Sequence, residues 1–136
     1  MTSLLDTGVM LASLVRSDKL HSRAIELLRR ETGDLVTTWP CFTEAMYLVS
    51  RHGGWSIQLQ LQAMLKRGLF ALAHLSSDDA DHACDLMGRY TDTPMDFADA
   101  SLVVTAEKTG ITRILTFDRH FYAYRINGKT PFDVVA

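Results

Sequence analysis

The sequence predicts an α/β fold, a three-layer sandwich in which a mainly parallel β-sheet is flanked by helices. Short apolar runs of strand type alternate with helix-patterned stretches of about 10 to 15 residues, the signature of β-α-β units. Glycines and capping residues separate these stretches at regular intervals. With 136 residues, 47% of them hydrophobic and 22% charged, the chain is expected to form one domain, residues 1–136, with a real core.

Leu4-Leu5 reads as a short buried strand, and Asp6 closes it. Val9, Leu11, Ala12 and Val15 give helical spacing from Thr7 through Arg16, so Asp6 also opens a helix. From Asp18, an apolar face of Leu20, Ala24, Ile25, Leu27 and Leu28 opposes Arg23, Glu26, Arg29 and Arg30, predicting an amphipathic helix that stops near Gly33. Leu35-Val36-Thr37-Thr38 is the second strand. Trp39-Pro40 breaks it and starts a helix carrying Glu44, Ala45, Leu48 and Val49, which the pair Gly53-Gly54 ends; another helix runs from Ser56 to Lys66.

Leu69 through Leu75 predicts a third strand, followed by Ser76-Ser77-Asp78-Asp79 as caps for a helix bearing Ala83, Leu86 and Met87. Thr93-Pro94-Met95-Asp96 begins the next helix, with Thr93-x-x-Asp96 fitting a capping box. Its body, Phe97 to Thr109, is apolar on nearly every face and ends at Gly110, which predicts a central, buried helix. Ile114-Leu115-Thr116 is a strand, Asp118 to Phe121 a short turn or helix, and Phe132 to Val135 a last edge strand.

Composition removes several function classes. The net charge of -2 excludes the broad electrostatic grip of strongly basic nucleic-acid binders, so any RNA contact is local or metal-assisted. No apolar stretch approaches the roughly 20 residues of a bilayer span, and the first residues lack signal-peptide character, so a cytosolic protein without membrane attachment is expected. Cys41 and Cys84 have no metal-site spacing and read as buried core residues. The five histidines show no H-x-x-x-H pairing, and no Walker A loop, G-x-S-x-G elbow or G-x-G-x-x-G turn is present.

The remaining signal is acidic. Asp6, Glu44, Asp99 and Asp118 each lie in or beside an apolar stretch, where a carboxylate is costly unless a cation meets it. Asp6 and Asp118 follow predicted strands, so parallel pairing puts them on one rim of the sheet, where ligands of such sheets bind. Asp99 shares a stripe with Leu102, Val103 and Ala106, and Asp96 lies one turn earlier. Each acid has a structural alternative: Asp6, Asp96 and Asp118 as caps, Glu44 as a favourable charge near a helix start. Several carboxylates collected together need a divalent cation to remain ionised, and all-oxygen ligands favour Mg²⁺ or Mn²⁺ over zinc.

Leu4-Leu5-Asp6-Thr7-Gly8, Thr43-Glu44-Ala45, Pro94 through Leu102 and Leu115-Thr116-Phe117-Asp118-Arg119 together resemble the ordered motifs of PIN-domain proteins, especially VapC-like toxin ribonucleases. The resemblance spans nearly the whole chain. It implies a PIN-like sandwich and a Mg²⁺- or Mn²⁺-dependent endoribonuclease of a toxin–antitoxin pair. Asp6, Glu44, Asp99 and Asp118 are carried over as catalytic and metal-binding acids, with Asp96 as an auxiliary metal ligand and Thr116 as an orienting group. RNA is then the substrate and a VapB-like antitoxin the expected partner, while a homodimer, common in the family, is neither supported nor excluded by the sequence; Arg113 or Arg119 are candidates to hold flanking phosphates, with a solvated surface role as the alternative. The first two helices are apolar enough to leave a groove for an antitoxin helix, with ordinary core packing as the alternative. Two rival functions are a phosphatase using Asp6 as nucleophile, weakened by Gly8 standing where a second acid is needed, and a non-catalytic binding module of the same fold.

Overall fold

The apolar runs become short strands whose buried side chains hold them between helices. In the computed structural model, which describes residues 1–136, these are β1 (Ser3–Leu5), β2 (Leu35–Thr38), β3 (Ala71–Ala73) and β4 (Arg113–Leu115). A small hairpin, β5 (Arg125–Ile126) with β6 (Thr130–Pro131), precedes the edge strand β7 (Asp133–Val135). The main sheet has the order β3-β2-β1-β4-β7 and is parallel throughout. Leu4 is paired with Val36 on one side and Ile114 on the other. This is the expected α/β sandwich.

Five helices flank the sheet: α1 (Thr7–Leu14), α2 (His21–Arg30), α3 (Trp39–Lys66), α4 (Ser77–Arg89) and α5 (Phe97–Thr109). Helix α1 packs on α2 and α3, and α4 packs on α5. Leu4, Leu5, Leu102, Val103, Ile114 and Leu115 are all fully buried, so the core lies where β1, β4 and α5 meet. At about 25 cal/mol per Å² of apolar surface, each such side chain contributes on the order of 2 kcal/mol. No helix is long and apolar enough to cross a membrane.

Several expectations change in detail. The helix of Glu44 and that of Ser56 are joined in α3, yet Gly54 (φ 63°, ψ −147°) breaks the helical path between them, as the glycine pair predicts. Leu69 to Leu75 yields only three strand residues, because β3 is an edge strand whose Leu72 remains 38% exposed. The capping box lies one turn later than Thr93-x-x-Asp96. Asp96 is the N-cap of α5, accepting from the Asp99 amide at 2.8 Å, while Asp99 accepts from the Asp96 amide at 3.2 Å. Pro94 and Met95 stay outside the helix.

Cys41 is buried as expected, but Cys84 is exposed, since it faces away from the Ala83 and Leu86 side of α4 that meets the core. Val9, Ala12, Val15, Ala24 and Leu27 are buried, which favours ordinary core packing for these faces of α1 and α2; exposed apolar side chains on α3 include Tyr47, Trp55 and Leu59. Arg113 starts β4, at the opposite end of the strand from Asp118, where its guanidinium is held at 2.6 Å by the largely buried Glu31 carboxylate and at 2.7 Å by the Ser3 hydroxyl. It therefore serves the fold, not a phosphate at the acidic rim.

The combination at Gly54 lies near a region of backbone space that only glycine occupies comfortably. Gly54→Ala is expected to cost about 1–3 kcal/mol, read as a lowered urea midpoint with an unchanged denaturant slope.

Candidate metal centre

Strand order decides where the acids meet. From β1 the chain moves to β2 and β3 on one side and later to β4 and β7 on the other, so the topological switch lies between β1 and β4. The crevice beyond the carboxyl ends of strands at such a point is the natural ligand site of an open parallel sheet. Asp6 directly follows β1, and its amide donates to the Leu115 carbonyl of β4 at 3.0 Å. Asp118 follows β4 by three residues. Helix α5 brings Asp99 to the same crevice from its first turn.

Asp6, Asp99 and Asp118 can each offer one carboxylate oxygen such that all three atoms lie within 4.8 Å of one another. That spacing suits joint coordination of a single cation. The local bonds that fix these side chains are largely capping bonds. Asp6 is the N-cap of α1: its Oδ1 accepts from the Thr7 amide at 2.8 Å, and its Oδ2 accepts from the Thr116 hydroxyl at 2.6 Å. Thr116 Oγ1 in turn accepts from the Asp118 amide at 2.9 Å, tying the two strand-end acids through one hydroxyl. Asp118 Oδ1 accepts from the His120 amide at 2.9 Å and lies 3.1 Å from His120 Nδ1. Capping explains how each carboxylate is held; it does not explain why three converge.

Glu44 and Asp96 lie beside this trio and outside it. Glu44, half-buried on α3, has its carboxyl raised above the usual range by burial and then by the charge of Asp96, with the Thr7 hydroxyl pulling the other way. Asp6 is almost fully buried, and desolvation, with smaller repulsion from Asp118 and Glu44, pushes it up to about 6 despite its two hydrogen bonds. Asp99 is pushed up to about 8, by burial first and then by the charges of Asp96, Asp6 and Asp118. No lysine or arginine is ion-paired with Asp6, Asp99 or Asp118; His120 is the only basic side chain in such a pair. An all-carboxylate donor set under mutual repulsion, with no cationic side chain to relieve it, fits a hard divalent ion.

Sequence reasoning passed over three supporting residues. Tyr124 is fully buried, donates to the Pro94 carbonyl, and packs edge-on against Tyr90 and Phe121, which anchors the segment entering α5. Its phenol is raised by burial and then by the charges of Asp99, Asp118 and Asp96. Thr38 and Ser101, joined at 2.6 Å, lock β2 to α5 just below the rim. Ser101, a polar residue in the mostly apolar stretch Ala100–Val104, carried a readable signal. Cys41 is a core thiol here, its Sγ 3.6 Å from the Ala98 carbonyl and its ionisation pushed up to about 12 by burial and the nearby Asp6.

The family model of the PIN domain matches residues 3–127. The chain belongs to the PIN-domain family. Among relatives of known name, it is 29% identical to ribonuclease VapC26 of Mycobacterium tuberculosis over 133 residues, 97% of this chain and 98% of that protein. Its fold is similar to that of M. tuberculosis VapC20, described as a toxin that cleaves the sarcin–ricin loop, with a TM-score of 0.80 and 20% identity over 87% of this chain and 90% of that one. It is also similar to a chain of a toxin–antitoxin complex from Klebsiella pneumoniae, with a TM-score of 0.69 and 18% identity over 98% and 96% of the two chains. The parallel sheet and acidic rim described above are thus those of a PIN-domain protein.

The raised acids make the metal-free fold sensitive to pH in a definite direction. Unfolded, both aspartates ionise near 3.8; folded, they hold protons up to about 6 and about 8. Their contribution therefore becomes destabilising as pH rises from about 4 to about 8 and is constant above that. In EDTA, the melting temperature of Asp99→Asn is expected to fall less between pH 5 and pH 8 than that of the unmodified chain, measured by differential scanning calorimetry. Parallel curves would show that Asp99 does not hold the proton.

Proposed function

We propose that this PIN-domain protein is a divalent-metal-dependent endoribonuclease, the toxin of a type II toxin–antitoxin pair. Asp6, Asp99 and Asp118 hold the cation, with Glu44 and Asp96 as flanking carboxylates. The carrying observation is the approach of three carboxylate oxygens to within 4.8 Å at the switch point of the sheet. The names of the similar proteins, a VapC ribonuclease, a VapC toxin and a toxin–antitoxin complex, support the same reading. They also support a VapB-like antitoxin as the partner.

A bound Mg²⁺ or Mn²⁺ supplies Lewis acidity at a phosphodiester oxygen and lowers the pKa of water, so hydrolysis needs no protein nucleophile. The chain provides the positioning. Thr116 and the Thr7 amide fix both oxygens of Asp6, so little side-chain freedom is lost when a ligand arrives. Asp99 gives up the proton that burial and then neighbouring charge have kept on it, which makes cation uptake stronger as pH rises toward about 8. His120, beside Asp118, holds that carboxylate toward the rim. A cleft of about 590 Å³ bordered by Tyr90, Pro94, Asp96, Asp99, Asp118 and His120 leaves room for a substrate strand against the acids.

Purified protein given single-stranded or structured RNA is expected to cut it with Mn²⁺ or Mg²⁺ and to stop in EDTA. Asp6→Asn and Asp99→Asn should each lower cleavage at least about 100-fold, as removal of a transition-state electrostatic partner does. Both variants should keep the circular dichroism of the parent and lose its Mn²⁺-induced rise in melting temperature. Undiminished cutting by either variant rejects this assignment of the acids.

A further inference from the structure

A second cavity, of about 420 Å³, adjoins the acidic rim on the other side of Asp118. Thr116 and Asp118 form one wall of it; Leu20 and Arg23, at the start of α2, and Arg119 and Tyr122, of the turn after β4, line much of the rest, which Phe117, Val134 and Ala136 complete. Asp118 therefore borders two clefts. They differ in charge: the cleft toward Asp96 and Asp99 contains no lysine or arginine, whereas this one contains two guanidinium groups.

Neither guanidinium is used by the fold. Arg30, by contrast, is paired with Glu26 and Arg113 with Glu31, while Arg23 and Arg119 belong to none of the chain's ion pairs. Arg119 leaves the adjacent Asp118 carboxylate to His120. Tyr122 is 60% exposed and Leu20 39% exposed, an aromatic and an aliphatic surface open to water in a wall that also carries positive charge. Guanidinium groups match phosphate oxygens in geometry, and an exposed aromatic ring offers a stacking platform to an unpaired base.

We infer that this cavity is a nucleotide subsite: Arg23 and Arg119 grip a backbone phosphate next to the scissile one, and Tyr122 stacks on an unpaired base of the RNA. The inference rests on the ribonuclease reading above and deepens it. It assigns the substrate a single-stranded stretch at the cleavage point, because a base held in a duplex does not reach a side-chain platform. In a chain with net charge -2, such a local grip also supplies the attraction that overall charge does not.

The test is fluorescence anisotropy of a labelled short single-stranded RNA on the full chain in EDTA, with cleavage kinetics in Mn²⁺, for Arg23→Ala, Arg119→Ala, Tyr122→Ala and Tyr122→Phe. All three positions are exposed, so melting temperatures should stay unchanged. Each arginine variant is expected to raise Kd and KM about tenfold with little change in kcat, and to reduce the slope of log Kd against log salt by about 0.7. Tyr122→Ala should weaken binding about tenfold, and Tyr122→Phe should retain the parent affinity. If the parent chain binds and cuts RNA while the alanine variants match it, the subsite is overturned and the arginines are left to an acidic protein segment. A parent chain that neither binds nor cuts RNA overturns the ribonuclease reading and this inference together.

Discussion

Parallel pairing of β1 with β4 is the constraint on which the rest of the molecule depends. It sets Leu5 opposite Leu115 and so delivers the residues that follow, Asp6 and Thr116, to one crevice. The Thr116 hydroxyl then joins Asp6 to the amide of Asp118 in a chain of two bonds, both shorter than 3 Å. Helix α5, buried along most of its length, cannot slide away from this edge, and Asp99 is carried inward with it. Three anionic groups are thereby forced together by apolar packing. Burial of Leu102, Val103, Ile114 and Leu115 outweighs their repulsion in the absence of a cation, and the raised ionisation of Asp6 and Asp99 reflects first their own desolvation and then the charge of their neighbours.

The rim is consequently a place where stability and function pull in opposite directions. Replacing Asp6 or Asp99 by its amide removes a desolvated charge and relieves neighbours, yet on the proposed reading it also removes a donor to the divalent ion. Proteins commonly keep such locally unfavourable groups at working sites and compensate elsewhere. Here the compensation is visible in the neutral polar scaffold beneath the acids: the Thr38 and Ser101 pair, and Tyr124 on Pro94, hold the backbone without adding charge.

Much of this was legible in the sequence because it depends on periodicity and chain punctuation. Alternation of apolar strands and helices gave the parallel sheet, and strand-end positions alone brought Asp6 and Asp118 to one rim. Asp99 was marked by its stripe of Leu102, Val103 and Ala106. What escaped depended on distances between remote residues. That Arg113 would be claimed by Glu31, 82 positions away, is not encoded in any local pattern. Nor is the fact that Glu44 and Asp96 fall outside the closest trio, which turns on how α3 and α5 enter the rim. The Asn127-Gly128 turn of the β5-β6 hairpin, with φ of 53° and 69°, is different: Asn-Gly is a strong hairpin signal, and it was masked by the shortness of the two-residue strands around it.

The asymmetry around Asp118 bears on how a chain with excess negative charge can act on a polyanion. A uniformly acidic crevice would repel RNA before any cation could bridge the two. Unpaired guanidinium groups stand at one flank only, and the carboxylates are left free of them; on the proposed reading this would separate attraction from chemistry, with a flanking phosphate drawn by fixed positive charge and the carboxylates left to hold the cation. Were Arg119 folded back onto Asp118, one charge would cancel the other and neither task would be served. The turn after β4, which gives Asp118 to His120 and leaves Arg119 unpaired, is thus the local structure on which that division of labour rests.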